Sequence, residues 1–432
     1  MLRPHQLKAV FEAEKAWREG TRAVLVVMPT GAGKTRFACH IMRRHVEAGG
    51  RVLFVVHRAE LVSQARDAVV SYGVDANNVR VLAGAATAGD TDAAICVASV
   101  QTMLMRPESE WPKATLLVVD EAHHYASPEW CRIPRAYAVQ TLGLTATPER
   151  GDGRAMGDLF ERLVAPTSVR ELTDRGVLVP CHVYAPASRK RSLAALPHEA
   201  LAERRNEWSR AVVFAANVEH AHEVAKQCSD AGMRAEVVHG NLSAEDRASI
   251  LTRFRAAEFV VLVNVFVLTE GFDDPAIDAC VLARGCSHSG TYLQMVGRVI
   301  RAAEGKRRAI VLDLVGAVHE HGLPDAERVY SLEGEAIRTG ESALALRQCR
   351  ACGAVYEAGP FECERCGERL PPPPRPKLSR ERMSEIMAAH PIERRERTWR
   401  ELCAIAKARG YKPGWARYQF KARYGEWPRF AS

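Results

Sequence analysis

Ten short runs rich in β-branched residues, alternating with helical stretches, constrain this chain more than any other feature. The first series (AVLVVM, RVLFVV, AAICVAS, TLLVVD, TLGLTA) lies between residue 21 and about residue 180, and the second (AVVFAA, AEVVHG, FVVLVN, DACVLA, AIVLDL) follows it. Strands that are apolar on both faces and alternate with helices pack as a parallel sheet wrapped by those helices. The chain therefore reads as α/β, with two tandem lobes of roughly 150 residues each. Between them, PASRKRSLAALPHEALAERRNEW (186–208) is charged and reads as a connector without a strand. Past residue 335 the alternation stops, and a cysteine cluster, a PPPPRP spacer and a basic tail follow. Four consecutive prolines make a stiff extended segment, which sets the tail apart as a unit.

Charge separates the same regions. The chain carries a net +8, yet residues 375–432 hold 15 Lys+Arg against 6 Asp+Glu, leaving 45 against 46 elsewhere. That tail also holds 8 of the 29 aromatic residues, about twice the average density. The longest apolar runs fall far short of the roughly 18 residues a membrane helix needs. The N-terminal MLRPHQLKAVFEAEKAW has no signal-peptide core. A cytoplasmic location is the expectation.

Four motifs carry chemistry. VVMPTGAGKT (26–35) is a strand, a glycine-rich loop and the start of a helix. Backbone N–H groups around Thr30, Gly31 and Gly33 suit phosphates, Lys34 suits the β/γ-phosphates, and Thr35 suits Mg²⁺. Met28 stands where a strict P-loop has its first glycine. LLVVDEAHH (116–124) is a buried strand ending in acids, with Asp120 placed to hold Mg²⁺ through water and Glu121 to orient or deprotonate an attacking water. His123 stands where it could sense nucleotide state, and GLTATP (143–148) puts Thr145 and Thr147 at another strand end. QMVGRVIR (294–301) sets Arg298 and Arg301 three apart, on one helix face, after a run too apolar to be a solvated basic surface.

In order and spacing, LRPHQ (2–6), PTGAGKT, VVHRAELVSQ (55–64), DEAH, TATP, VVFAANVEHA (212–221), NVFVLTEGFDDP (264–275) and QMVGRVIR resemble superfamily 2 helicases of the DEAD/DEAH type, over residues 1 to about 335. Within that superfamily the chain is similar to RadD-type DNA-repair and phage helicases. The connector 186–208 is shorter than the helical sequence between their lobes. The resemblance implies two RecA-like lobes and an ATP-dependent motor on DNA, serving repair, recombination or phage replication. An RNA helicase, or the motor subunit of a restriction or defence complex, is the alternative. It implies that Gln6, helped by Arg3, reads adenine, that Asp273 meets the nucleotide from the second lobe, and that Gln294 couples the lobes. Arg298 and Arg301 would be arginine fingers, which accelerate phosphoryl transfer by roughly 10³ to 10⁵. Nucleic-acid contacts would come from Arg58, from Ser99, Gln101 and Thr102, and from Thr269 and Gly271. Each has an ordinary alternative as a helix cap.

In CRACGAVYEAGPFECERCG, Cys349, Cys352, Cys363 and Cys366 form two C-x₂-C knuckles, each followed by glycine. Four thiolates so spaced suit a tetrahedral structural Zn²⁺, with a redox dithiol as the lesser alternative. The other eight cysteines read as small buried hydrophobes. The tail mixes Lys and Arg with aromatics such as Trp415. Basic groups neutralise phosphates and aromatics stack on bases, although some must form the core of so small a unit. A DNA-binding or partner-docking helical module is the expectation. The resulting boundaries are an ATP-binding lobe (1–185), connector (186–208), C-terminal helicase lobe (209–340), zinc ribbon (345–370), proline-rich linker (371–378) and basic aromatic helical module (379–432).

Overall fold

The computed structural model describes residues 2–57, 59, 61–82, 93–148, 155–186, 192–267, 274–286, 288–326 and 328–333, and beyond these 346–348, 355–357, 368–369, 377–378, 384–386, 391–408, 414–424 and 427–428. Two compact units are present, Met1–Ser384 and Glu385–Ser432.

The chain enters the first lobe on α1 (Pro4–Arg18), with proline in its first turn, where no N–H is needed. It continues through β1 (Ala23–Val27), α2 (Lys34–Glu47), β2 (Val52–Val56), α3 (Leu61–Ser71), β3 (Val79–Leu82), β4 (Ile95–Ser99), α4 (Val100–Leu104), β5 (Leu116–Val119), α5 (Arg132–Ala136), β6 (Gln140–Thr145), β7 (Arg162–Val164) and α6 (Val169–Asp174). Seven strands form one sheet in the order β3-β4-β2-β5-β6-β1-β7, and every described pairing is parallel. Every residue of β1, β2, β4 and β5 is buried, which is why these runs read as continuously apolar rather than alternating.

The second lobe comprises β8 (Cys181–Ala185), β9 (Ser192–Leu193), α7 (Pro197–Glu203), β10 (Ala211–Phe214), α8 (Val218–Asp230), β11 (Ala235–His239), α9 (Ala244–Arg255), β12 (Val261–Val265), β13 (Ala279–Leu282), α10 (Ser289–Val296) and β14 (Ala309–Asp313). Six parallel strands run β11-β12-β10-β13-β14-β8. So β8, inside the span expected for the first lobe, belongs to the second sheet, where it pairs with β14.

The segment 186–208 also differs from a bare connector. Its Leu193, Ala194, Ala200, Leu201 and Trp208 are buried, and Trp208 Nε1 donates to Leu201 O at 3.0 Å. Burying these apolar side chains holds α7 against α8, while β9 pairs with Lys377–Leu378. Glu199, Glu203 and Arg205 between them are exposed, so the run looks like a linker by composition while folding as part of a lobe.

In the second unit, Pro391–Ala408 and Trp415–Tyr424 form two helices. Trp399, Leu402, Ala416 and Phe420 are buried, and the Trp399 and Phe420 rings meet edge to face at 6.0 Å. Among the described residues no helix is long and apolar enough to cross a membrane. Cys39, Cys96, Cys131, Cys228, Cys280 and Cys286 are buried, and burial pushes the Cys39 thiol up to about 12. Cys181 and Cys403 are half-buried.

Candidate nucleotide site between the lobes

In the first sheet β1, β6 and β5 are neighbours, so the segments that follow them emerge side by side at the C-terminal edge. These segments are the glycine-rich loop, the Thr-Ala-Thr turn and the Asp-Glu pair. Open parallel sheets bind ligands at this edge. Pairing runs on past the strand ends, with Met28 N donating to Thr145 O at 3.0 Å and Asp120 N to Val55 O at 2.9 Å.

Gly31 (φ +85°) and Gly33 (φ +84°) take left-handed conformations, which turn the loop sharply into α2. Gly33 caps α2 without a side chain, so the first N–H groups of the helix have no side-chain cap. Such an uncapped N-terminus is an anion site. Lys34 Nζ rests on Met28 O at 3.3 Å. Burial pulls the Lys34 ammonium below its ordinary range; Arg298 and Arg301 pull the same way, and Glu121 and Asp120 oppose them. Five charges from both lobes thus act on one another. Thr35 is exposed at the start of α2, beside the half-buried Lys34.

The loop is braced from beneath by α1. Gln6 Nε2 donates to Ala32 O (3.2 Å) and Gly33 O (3.1 Å), while Gln6 Oε1 accepts from Arg3 N at 2.9 Å. His5 Nε2 lies 2.9 Å from Ala32 O, a brace that the sequence did not single out. Gln6, expected to read adenine, thus has both ends of its amide engaged within the protein, and the Arg3 side chain is exposed.

Glu121 takes φ +46°, ψ +53°. For a non-glycine residue this costs of order 1–3 kcal/mol, a strain typical of functional positions. The left-handed turn ends β5 abruptly and starts the 122–126 turn, which returns His123 towards its neighbour. His123 Nδ1 is 3.6 Å from Glu121 Oε2 and 3.0 Å from Thr145 Oγ1. Thr145 Oγ1 donates its only proton to Thr147 O (2.6 Å) and accepts from Thr147 N (3.2 Å). His123 must therefore donate from Nδ1 to Thr145, which sets its tautomer. Glu121, His123, Thr145 and Thr147 form one polar chain from the acid pair to the Thr-Ala-Thr turn.

The second lobe meets this edge through the end of α10. A Cβ placed on Gly297 would lie 2.6 Å from Thr30 Cβ, and one on Gly31 would lie 3.2 Å from Arg301 Cγ. Arg301 also forms an antiparallel bridge with Leu178, and Val179 N donates to Ile300 O at 2.9 Å. Leu178 and Val179, from the crossing between the lobes, are a clasp that sequence reasoning missed. Gln294 and Arg298 are buried, and burial pulls the Arg301 guanidinium down to about 10. Residues some 260 positions apart thus converge on one loop.

The expected nucleic-acid residues fare differently. Ser99 is fully buried and caps α4, its Oγ accepting from Thr102 N (3.1 Å) and lying 2.9 Å from Thr102 Oγ1. Here the ordinary helix-cap alternative describes the Ser99 hydroxyl. Gln101 is exposed, with Nε2 donating to His57 O at 3.0 Å. Trp415 is half-buried at the start of the last helix. Arg58, Thr269, Gly271 and Asp273 lie outside the described residues, as do Cys349, Cys352, Cys363 and Cys366.

Comparisons with known proteins agree with this geometry. A family model described as the res subunit of type III restriction enzymes matches residues 1–150, and the helicase conserved C-terminal domain matches residues 192–303. A 51.5 kDa protein of a Lactococcus phage (isolate 7-9) is 28% identical over 367 residues, 79% of this chain and 77% of the relative. The putative mitochondrial ATP-dependent helicase irc3 of Schizosaccharomyces pombe is 28% identical over 74% of this chain, which spans only 58% of that relative. The DNA 3'-5' translocase XPB2 of Sulfurisphaera tokodaii is 26% identical over 73% of this chain and 81% of its own. In fold, the chain is similar to a fragment of a putative HsdR subunit of a type I restriction enzyme from Vibrio vulnificus YJ016 (TM-score 0.61, 24% identity, 75% of this chain and 66% of that one). It is also similar to Dbp5 of S. cerevisiae bound to RNA and ADP BeF3 (TM-score 0.53, 19% identity, 76% of this chain and 93% of that one). Both likenesses show the fold, two RecA-like lobes.

Proposed function

We propose that this chain, which belongs to the superfamily 2 helicases and is an ATP-dependent enzyme of that class, is a DNA-directed translocase that hydrolyses ATP in the interlobe cleft. One observation carries the reading: the Gly297–Arg301 turn of the second lobe packs directly on the glycine-rich loop of the first. The uncapped α2 N-terminus and Lys34 fit a triphosphate, and Thr35 with Asp120 fit its Mg²⁺. That ion, when bound, offsets phosphate charge. Glu121 orients the attacking water and takes its proton. Arg298 and Arg301 meet the charge that grows on the γ-phosphoryl oxygens. Because the arginines and the loop lie on different lobes, hydrolysis requires closure, and turnover becomes motion. His123, hydrogen-bonded to Thr145, relays the state of Glu121 to the Thr-Ala-Thr turn, and Gln294 serves the same coupling. On nucleotide binding Gln6 turns from the loop to adenine, with Arg3 beside it and Asp273 closing from the second lobe.

DNA is preferred because the XPB2 relative is named a DNA translocase and because the tail is basic and aromatic. The track follows Arg58, Gln101, Thr269 and Gly271, with phosphate contacts that read no sequence. The four clustered cysteines hold a structural Zn²⁺ in a ribbon; strands 346–348 and 355–357, paired antiparallel, bracket the first knuckle. Repair, recombination or phage replication is the setting, in the manner of RadD-type helicases. A second reading, the motor of a restriction complex, draws on the match of residues 1–150 to a restriction subunit and would appear as a co-purifying partner chain.

The test is ATPase activity with no nucleic acid, with single-stranded, duplex and forked DNA, and with RNA. Stimulation by DNA is expected. A response to RNA alone would move the chain to the RNA helicases, and no response to any nucleic acid would refute the reading. Elemental analysis should find one zinc per chain, lost on Cys349→Ser.

A further inference from the structure

Arg284, two residues past β13, is 9% exposed, an unusual place for a cation. Its surroundings are soft rather than acidic. Nη2 donates to Met295 Sδ at 3.7 Å, and the guanidinium carbon lies 4.2 Å over the Phe266 ring. Among the described residues no carboxylate pairs with it, whereas Arg210, at the opposite edge of the same sheet, is bonded to Asp274 through both terminal nitrogens. Burial lowers the basicity of Arg284, opposed only by the Cys286 thiol. Removing a guanidinium from water costs more than a thioether and a ring return.

A second anomaly lies against the first. Phe266, one residue past β12, has φ +58° and is 43% exposed. A left-handed conformation is a genuine outlier for a bulky residue, and here it is not compensated by burying the ring. The conformation is held in place, since buried Asn264 accepts from Val267 N at 2.9 Å through Oδ1. Strands β12 and β13 both pair with β10, so the two residues flank the C-terminal edge of the central strand of this lobe. Two local costs meet at one ligand-binding edge.

We propose that Arg284 and Phe266 form a nucleic-acid contact on the second lobe, in which the guanidinium takes a backbone phosphate of a single strand and the ring stacks on the adjoining base. The ring moves off the guanidinium as it stacks and uncovers it. Phosphate and π-face are the two features every nucleotide offers, so the contact reads no sequence. The nucleotide site already has its arginines: Arg298 and Arg301 act on Lys34, and Arg284 is not among the charges that do. The inference rests on the DNA-translocase reading, because Phe266 immediately precedes the segment with Thr269 and Gly271.

The test is binding of a fluorescein-labelled oligo-dT single strand by the full chain, without nucleotide, across a salt series, together with thermal melting. Arg284→Met should melt at or above the wild-type temperature, because an apolar side chain replaces a buried charge. It should bind the strand about tenfold more weakly, with the slope of log affinity against log salt shallower by about 0.7. Phe266→Gly removes the ring and the backbone strain together; it should melt higher and bind more weakly with the slope unchanged. This second variant decides the matter should Arg284→Met not fold. Unchanged affinity in both variants, or a shallower slope absent from Arg284→Met, would overturn the assignment. Failure of the wild-type chain itself to bind any strand would overturn the translocase reading, and is visible before a variant is made.

Discussion

Arginine serves two regions of this molecule in opposite ways. At the interlobe cleft Arg298 is buried and Arg301 is half-buried, Arg301 lies against the glycine-rich loop of the other lobe, and both act on Lys34. In the C-terminal unit Arg400 and Arg417 are exposed, and Arg400 pairs with Glu396 one helical turn away. A buried guanidinium is expensive and directional, and it waits for one anion in one place. An exposed one is cheap and screened by salt, and contributes to a field rather than a site. Net charge would not have separated them; burial does. Arg284 belongs with the first kind although no motif marks it.

The largest effects are expected at the charges of the cleft. Lys34→Ala and Glu121→Gln should each lower ATP turnover by on the order of 10³-fold, as removing a placed charge-stabilising or proton-accepting group does, measured by phosphate release under saturating DNA. Next, Gly297→Val forces a side chain against Thr30. A displacement of about 1 Å costs on the order of 10²-fold, so steady-state turnover should fall while the full chain still binds nucleotide. The cheap side answers differently. Tyr418 and Trp427 are 69% and 43% exposed, with ring centroids 5.3 Å apart and Lys421 over the Trp427 ring at 4.3 Å. Stacking is worth about 1–3 kcal/mol per base, so Trp427→Ala should weaken single-strand binding about tenfold by anisotropy and leave saturated turnover intact. The smallest effect is on pH. Burial holds His5 neutral below its ordinary 6.5, so its stabilising contribution is present above pH 6.5 and is lost as pH falls below it. His5→Gln should flatten the fall in melting temperature on the acid side.

Much of the cleft was legible because its chemistry is contiguous in the chain. A strand, a glycine turn and a lysine must adjoin to make a phosphate loop, and an acid pair must end a strand. The two-lobed fold was legible for a related reason: strands buried on both faces cannot hide their composition. What escaped depends on tertiary neighbours. Leu193, Leu201 and Trp208 sit among charges, so 186–208 resembled a linker, although those side chains pin it to the second lobe. For Ser99 a cap and a phosphate contact need the same hydroxyl, so the sequence leaves both readings open. The Leu178–Arg301 clasp joins residues with no shared pattern. Nor does sequence announce that Phe266 takes a left-handed turn or that Arg284 ends among sulfur and an aromatic ring.

The proposed role of the QMVGRVIR arginines is to serve the γ-phosphate and not the nucleic acid. It is tested most directly by single-turnover ATP hydrolysis and single-strand binding measured side by side on Arg298→Ala and Arg301→Ala. Hydrolysis is expected to slow by roughly 10³ to 10⁵, with strand affinity unchanged. Collapse of strand binding with hydrolysis preserved would contradict it.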